Sequence, residues 1–155
     1  LQILSLEIQR MPKNPQHEFG HLWEYPRRSV CTISTHDMAT LRGWWEEDRE
    51  LTSRYSDHVL GNWGEVPATA PAEICEEIVR QHLYSPSLLA ILAFQDWLSM
   101  DADIRYPDAN AERINVPANP RHYWRYRMHL TIEELMKSKN FNEKLTSMIN
   151  ETRRY

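Results

Sequence analysis

Polar side chains that could take part in chemistry follow three separate apolar segments of the chain. In chain order they are Glu7, Gln9 and Arg10, then His36 and Asp37, and finally Gln95 and Asp96. Carboxylates and imidazoles are the side chains that enzymes most often use to hold charge and to move protons. If the apolar segments are parallel strands of one sheet, the three polar clusters meet at its carboxyl edge. We therefore expect a site there.

The aromatic composition favours a ligand that has both apolar and hydroxyl-bearing faces. The chain contains 6 Trp and 7 Tyr but only 3 Phe, so most of its rings carry a hydrogen-bonding edge. Such rings suit sugars, and Trp44 is a candidate sugar platform, although the pair Trp44–Trp45 fits core packing better. The 4 Gly form no phosphate-binding loop. We expect no nucleotide or other cofactor.

Three segments have strand character. Residues 1–10 carry Ile or Leu close to a period of two, and residues 29–35 are rich in β-branched side chains. The run 88–94 is apolar at every position, which is typical of a strand buried on both faces of a parallel sheet. The segments 11–28 and 101–126 contain several prolines and are predicted to be long loops.

Four segments have helical character. The spacing of Leu and Trp predicts a helix over 38–50, and an amphipathic pattern predicts one over 72–84. Thr131 and Glu134 have the spacing of a capping box, which opens a helix through Lys137. A last helix is predicted over 141–152. The aromatic run 122–127 could be a packed arm with cation–π contacts.

Simpler structural roles are open for the polar clusters. Asp37 lies where an N-cap of the helix over 38–50 would be, and a carboxylate there would accept hydrogen bonds from first-turn N–H groups. Gln95 and Asp96 could cap the helical turn that follows them. No single residue decides between these roles and a site.

The order of elements predicts an α/β fold of alternating strands and helices. Three strands do not close a sheet, and an eight-stranded (β/α)8 barrel needs about 250 residues. The 155 residues could therefore be only the C-terminal third of a (β/α)8 barrel, and we expect them to be helix-rich and to form one compact unit over 1–155. Because a piece of a barrel exposes strand edges, we expect rearranged packing or self-association of the chain in isolation.

Three motifs carry a resemblance to a known family. Residues 34–45 read Ser-Thr-His-Asp-Met-Ala-Thr-Leu-Arg-Gly-Trp-Trp, residues 93–98 read Ala-Phe-Gln-Asp-Trp-Leu, and residues 113–117 read Arg-Ile-Asn-Val-Pro. Their order and spacing resemble those of the 4-α-glucanotransferases, the amylomaltases and disproportionating enzymes of glycoside hydrolase family 77. The segments 4–12 and 119–129 are most similar to the branch that contains the plant cytosolic enzymes.

The resemblance implies transfer of α-1,4-glucan segments to an acceptor sugar by a retaining double displacement. It assigns to Asp37 the carboxylate that stabilises the transition state, and to His36 and Asn115 contacts with the sugar. It adds Gln95, Asp96 and Trp44 as substrate-binding candidates. The family's nucleophile and acid/base would lie upstream of Leu1, so we expect the chain alone to be inactive. Ala118 departs from the glycine that many relatives carry there.

Composition restricts the partners. The net charge is −4 with acidic and basic residues intermixed, which disfavours nucleic acid. Neither a membrane span nor a metal site is expected, and the isolated Cys31 and Cys75 fit a reducing, cytoplasmic compartment. The expected partners are a maltooligosaccharide or glucan and the missing N-terminal part of the same enzyme. Two other classes stay open, a non-catalytic carbohydrate-binding module and a helical interaction domain.

Overall fold

The computed structural model describes residues 3–154, and its centre is a parallel β-sheet. The sheet contains β1 (Ser5–Ile8), β2 (Ser29–Thr32) and β3 (Leu89–Ala90), in the order β1-β2-β3. Ser5 pairs with Ser29 and Cys31 pairs with Ala90, and both pairings are parallel. Since all of the strands run in one direction, the residues that follow them lie at one edge of the sheet.

Six α-helices accompany the sheet in the described residues. They are α1 (Leu41–Glu47), α2 (Arg49–Tyr55), α3 (Ala72–Tyr84), α4 (Phe94–Leu98), α5 (Ile132–Lys137) and α6 (Lys139–Glu151). A π-helical turn, Ser56–Leu60, extends α2, and two 3-10 turns lie at Leu22–Glu24 and Ala109–Glu112. The α/β class predicted from the sequence is confirmed, with a small sheet and a high helix content.

Most predicted elements are present, and the first two strands are shorter than predicted. The first two strands and the helices α3, α5 and α6 lie where periodicity predicts them, and Leu1 and Gln2 of the first strand lie outside the described residues. The capping box is confirmed, because Glu134 N donates to Thr131 Oγ1 and Thr131 N donates to a Glu134 carboxylate oxygen. The segments 11–28 and 101–126 are loops as predicted, and the only helical structure in each of them is one 3-10 turn.

The prediction of a strand over 88–94 that is buried on both faces is wrong. Only Leu89 and Ala90 pair with β2, and Phe94 already begins α4. Leu88, Leu89 and Ile91 are 45%, 43% and 59% exposed. These side chains are exposed because β3 is the outer strand of the described sheet, and no described strand pairs with its far side.

The helix predicted over 38–50 is also different in the structure. Met38 N donates to Thr35 O within a turn, so α1 begins only at Leu41. At the other end Asp48 has an extended backbone and interrupts the helix. Its carboxylate accepts hydrogen bonds from Glu50 N and Leu51 N, both at 3.0 Å, and thereby caps α2. The single helix predicted from the sequence is therefore two helices in the structure, α1 and α2.

The core contains residues of α1 to α4 and of α6, whose Phe141 and Met148 are buried in it. Trp45 and Tyr55 are among its largest fully buried side chains, and Trp44 contacts both rings edge-on. The predicted apolar face of α3 is confirmed, because Ile78 and Val79 are buried. Cys31 and Cys75 are free and buried. Among residues 3–154, no helix is both long and apolar enough to cross a membrane.

We predict that His82 makes stability depend on pH. Burial lowers the pKa of this core imidazole to about 4, whereas in an unfolded chain it is about 6.5. Between these values the unfolded chain binds a proton that the folded chain does not, so the free energy of unfolding falls as the pH falls. From about pH 7 to about pH 5 the loss should be about 2 kcal/mol.

Urea unfolding of the protein at both pH values measures this loss. The variant His82→Gln provides the comparison, because glutamine does not titrate in this range. We expect the wild type to lose more stability than the variant on acidification. Equal losses would show that His82 is not responsible.

Candidate active site

The candidate site is the loop that joins β2 to α1 at the carboxyl edge of the sheet. Ser34 is buried near its start and Thr40 is buried at its end, while His36 and Asp37 lie between them. The side chains of His36 and Asp37 are 56% and 52% exposed. The loop thus has fixed ends and presents an imidazole and a carboxylate at its outer surface.

Arg10, which lies just beyond β1, binds the backbone at both ends of this loop. Its Nη2 donates to Ile33 O and to Ala39 O, each at 2.9 Å. The same guanidinium lies over Trp44, 5.0 Å from the ring centroid. Burial lowers the pKa of Arg10 and the nearby Asp96 opposes that effect. Arg10 therefore fixes the distance between the two ends of the loop, Ile33 before His36–Asp37 and Ala39 after it.

Asp96 holds the same loop from the other side. It is fully buried in α4, where Oδ2 accepts a short hydrogen bond from Ser34 Oγ and Oδ1 accepts one from Leu41 N at 2.8 Å. Burial raises the pKa of Asp96, and the hydrogen bonds from Ser34 and Leu41 oppose this. The prediction that Asp96 caps the turn after it is wrong. It satisfies a first-turn N–H of α1 instead.

Asp37 does not act as an N-cap. Thr40 has that role in α1, because its Oγ1 accepts a hydrogen bond from Gly43 N. The Asp37 carboxylate is occupied differently. Oδ1 accepts a hydrogen bond from Asn115 Nδ2 at 2.7 Å, and Oδ2 lies 3.2 Å from His36 Nε2. The structure therefore brings together His36, Asp37 and Asn115, although Asn115 lies 78 residues after Asp37 in the chain.

Asn115 is positioned by a surface ion pair and a backbone contact. Arg113 Nε donates to Asn115 O at 3.0 Å, and its Nη1 donates to Glu47 Oε1 at 2.8 Å. Since Glu47 is the last residue of α1, the arginine ties the loop over 113–117 to the helix that follows the His36–Asp37 loop.

A buried ion pair fixes the start of the same segment. Arg42 Nη1 lies 2.5 Å from Glu112 Oε1, and both side chains are almost inaccessible. Thr40 Oγ1 donates to Glu112 Oε2 at 3.0 Å, and Gln95 Nε2 donates to the Glu112 carbonyl at 3.1 Å. Burial raises the pKa of Glu112 and Arg42 opposes that effect. The network joins α1, α4 and the 3-10 turn before Arg113.

The other candidates from the sequence lie beneath the surface. Gln95 and Asp96 are buried in α4, and Gln95 donates its hydrogen bond inward rather than toward the exposed cluster. The Trp44 ring is buried among Phe19, Trp45 and Tyr55. All three side chains are therefore buried, whereas those of His36 and Asp37 are exposed.

Trp124 adds an aromatic surface that sequence reasoning did not assign to the site. Its ring centroid lies 5.3 Å from that of His36, and its side chain is exposed. The segment that carries it is held by His122, whose Nε2 lies 2.9 Å from Ile114 O. The predicted cation–π contact in this arm is present between Arg125 and Tyr123 at 5.0 Å. The excess of tryptophan over phenylalanine was the available signal.

This arrangement can hydrogen-bond hydroxyl groups and place negative charge beside a cationic centre. The Asp37 carboxylate is fixed by Asn115 yet open to solvent, and an aromatic ring stands next to His36. Carboxylate, amide and imidazole groups of this kind bind sugar hydroxyls, and a fixed carboxylate stabilises developing positive charge. One exposed carboxylate does not supply both a nucleophile and an acid.

Comparison with known proteins establishes the family. Residues 1–131 match the model of the 4-alpha-glucanotransferase family. The 4-alpha-glucanotransferase DPE2 of Oryza sativa subsp. japonica is 40% identical over 149 residues, which are 96% of this chain. The 4-alpha-glucanotransferase of Chlamydia pneumoniae is 29% identical over 92% of the chain. The chain belongs to the 4-alpha-glucanotransferase family, a family of transferases in carbohydrate metabolism.

A solved structure has the same fold as this chain. The amylomaltase from Streptococcus agalactiae in complex with acarbose superposes with a TM-score of 0.68 over 98% of the chain, at 19% sequence identity. The chain covers 28% of that amylomaltase, 16% of the rice relative and 27% of the chlamydial one. It spans between a sixth and a third of the length of these relatives.

We predict that Glu112→Gln destabilises the protein by about 3–5 kcal/mol, the usual cost of removing one partner of a buried ion pair. The amide keeps the size of the side chain but leaves the Arg42 charge buried without its counter-ion. Urea unfolding measures the change. The control is Glu143→Gln, because Glu143 is an exposed residue of α6. Equal stability of the two variants would contradict the role of the ion pair.

Proposed function

We propose that this chain is the C-terminal segment of the catalytic barrel of a 4-α-glucanotransferase and carries its transition-state-stabilising carboxylate, Asp37. The observation that carries the proposal is the exposed cluster of His36, Asp37 and Asn115 at the carboxyl edge of a parallel sheet. The family membership of residues 1–131 supports it. The three residues lie in two motifs, 34–45 and 113–117, that resemble those of the family.

Barrel membership is supported by the sheet itself. β1 and β3 each have one unpaired side among the residues that the structure describes, as internal strands cut from a closed sheet would have. Exposed apolar side chains at β3, such as Leu89 and Ile91, need cover. In (β/α)8 barrels the active site lies at the carboxyl ends of the strands, where the His36–Asp37 loop lies here.

The chemistry requires more carboxylates than residues 3–154 offer at the site. Retaining transfer needs a nucleophile that attacks the anomeric carbon and a carboxylic acid that protonates the leaving oxygen, roughly 5–5.5 Å apart. We assign these two groups to the remainder of the longer enzyme. Asp37 then stabilises the oxocarbenium-like transition state and accepts sugar hydroxyls, while His36 and Asn115 donate to hydroxyls beside it.

The buried candidates have a positioning role in this proposal. Asp96 and Arg10 set the ends of the loop, Gln95 holds the backbone of Glu112 ahead of Asn115, and Trp44 packs under Arg10. The substrate is a maltooligosaccharide or glucan, with no cofactor. The two free cysteines support a reducing, cytoplasmic location.

We predict that Asp37→Asn in the full-length enzyme lowers turnover by about 10²-fold or more, the usual cost of losing one fixed group that stabilises the transition state. The amide keeps the size of the side chain, so the thermal unfolding midpoint should stay close to that of the wild type. Disproportionation of maltotriose measures turnover.

The matched control is Asp103→Asn, because Asp103 is exposed and lies outside the cluster. It should leave turnover unchanged. If Asp37→Asn retained wild-type turnover, Asp37 would have no place in the mechanism.

We predict that this chain expressed alone does not convert maltotriose to glucose and longer maltooligosaccharides, because we assign the nucleophile and the acid to the remainder of the longer enzyme. We also expect it to self-associate through its uncovered strand edges, which size-exclusion chromatography would show. Formation of glucose would overturn the assignment of the missing groups.

A carbohydrate-binding module is the second candidate, favoured by the exposed Trp23, Tyr123 and Trp124. Calorimetric titration of the chain with maltoheptaose separates the two. Tight binding that persists in Asp37→Asn and is lost in Trp124→Ala would favour a module over a segment of an enzyme.

A further inference from the structure

The loop that joins β1 to β2 contains a cluster of metal-ligand side chains. His17, His21 and Glu24 each offer one ligand atom, and these atoms all lie within 4.8 Å of one another. The spacing, His-x3-His-x2-Glu, is short, so the cluster is local to the loop. It lies outside the His36–Asp37 loop and plays no part in the proposed reaction.

The backbone around the cluster is anchored on both sides. Before it, His17 N donates to Asn14 O at 3.1 Å, and after it, Glu24 N donates to His21 O at 3.0 Å in the 3-10 turn. Between the two histidines, Phe19 is buried in the core and Gly20 N donates to Gln9 O at 2.7 Å. The three ligands therefore stand on a loop that is fixed to the end of β1.

The rings of the cluster are held by stacking. The His21 ring lies between two others, with centroids 4.3 Å from His17 and 4.9 Å from Trp23, and interplanar angles of 24° and 16°. Stacking on both faces restricts rotation of the His21 imidazole. Nearly parallel rings cannot both direct their in-plane lone pairs at one ion, so shared binding requires the His17 ring to turn out of this stack, while Trp23 keeps the orientation of His21.

One ring nitrogen has no hydrogen bond although it is buried. His21 Nδ1 makes none with any described residue, while Glu24 Oε1 lies 3.2 Å away. Buried polar atoms are normally paired, so an orphan of this kind needs an explanation. Two ligands of one tetrahedral Zn²⁺ lie roughly 3.3–3.5 Å apart, because each bond is roughly 2.0–2.2 Å long. His21 Nδ1 and Glu24 Oε1, 3.2 Å apart, are close to that separation.

The cluster has space for an ion and is accessible from solvent. A cavity of about 280 Å³ is lined by His17, His21 and Trp23 together with His58. The side chains of His21 and Glu24 are 39% and 55% exposed, so an ion reaches them from solvent. The one further polar contact, from Asn14 Nδ2 to His17 Nε2, is 3.3 Å long and at the weak end of the range.

We propose that His17, His21 and Glu24 bind one Zn²⁺ ion, with water in the fourth position. Imidazole and carboxylate are ligands that zinc accepts together, in tetrahedral geometry. The ion fastens the loop over 11–28, which contains little regular structure of its own. Because the ligands come together only in the folded loop, the free energy of zinc binding adds to the stability of the fold.

The test uses the natural full-length protein that contains this chain, freed of metal with a chelator. Calorimetric titration with Zn²⁺ should show one bound ion for this site, and Co²⁺ should give the visible absorption of a tetrahedral complex. The thermal unfolding midpoint should rise with Zn²⁺ concentration. His21→Ala should weaken zinc binding by more than tenfold, since loss of even an outer-sphere partner costs about 10–100-fold.

Two further variants keep the test decisive. Glu24→Gln removes a ligand from a largely exposed side chain, so it reports on binding even if His21→Ala fails to fold. His58→Ala removes an imidazole from the same cavity but not from the cluster, and it should bind zinc as the wild type does. No saturable binding, or equal binding in Glu24→Gln and the wild type, would overturn the proposal.

Discussion

The candidate site depends on two opposite charges beneath one loop, the fully buried Asp96 and the partly buried Arg10. Arg10 spans the loop by donating to Ile33 O and Ala39 O, and Asp96 spans it by accepting from Ser34 Oγ and Leu41 N. Each charge is satisfied by several hydrogen bonds and by the other charge, which is the condition under which buried charges are tolerated. With its ends fixed in this way, the loop can leave His36 and Asp37 exposed and still ordered.

The second half of the site is brought in by a separate buried pair. Arg42 and Glu112 join α1 to the segment that leads to Asn115. Both halves therefore share α1, whose first N–H is held by Asp96 and whose last residue pairs with Arg113. A helix of 7 residues is too short to be stable by itself, so these ion pairs and the packing of Trp45 maintain it.

The sequence predicted the amphipathic helices and singled out His36 and Asp37 after the second strand, because these depend on local spacing and on short motifs. It did not predict what Asp96 and Glu112 do, since their partners lie 55 or more residues away and no periodicity encodes such pairings. The prediction of a buried strand over 88–94 was wrong for a related reason. An apolar run predicts burial, but whether Leu89 is buried depends on a neighbour across the sheet.

The proposed zinc ligands and the candidate active site are joined through the end of β1. Gln9 O accepts from Gly20 N in the loop that carries the proposed zinc ligands. Gln9 Oε1 accepts from Tyr55 at 2.6 Å, and Arg10 is the next residue in the chain. Closing a long loop costs entropy, and a bound ion offsets that cost only where the loop is attached. Here the attachment is the residue before Arg10, so ordering of this loop also restricts the backbone that carries the guanidinium beneath His36 and Asp37.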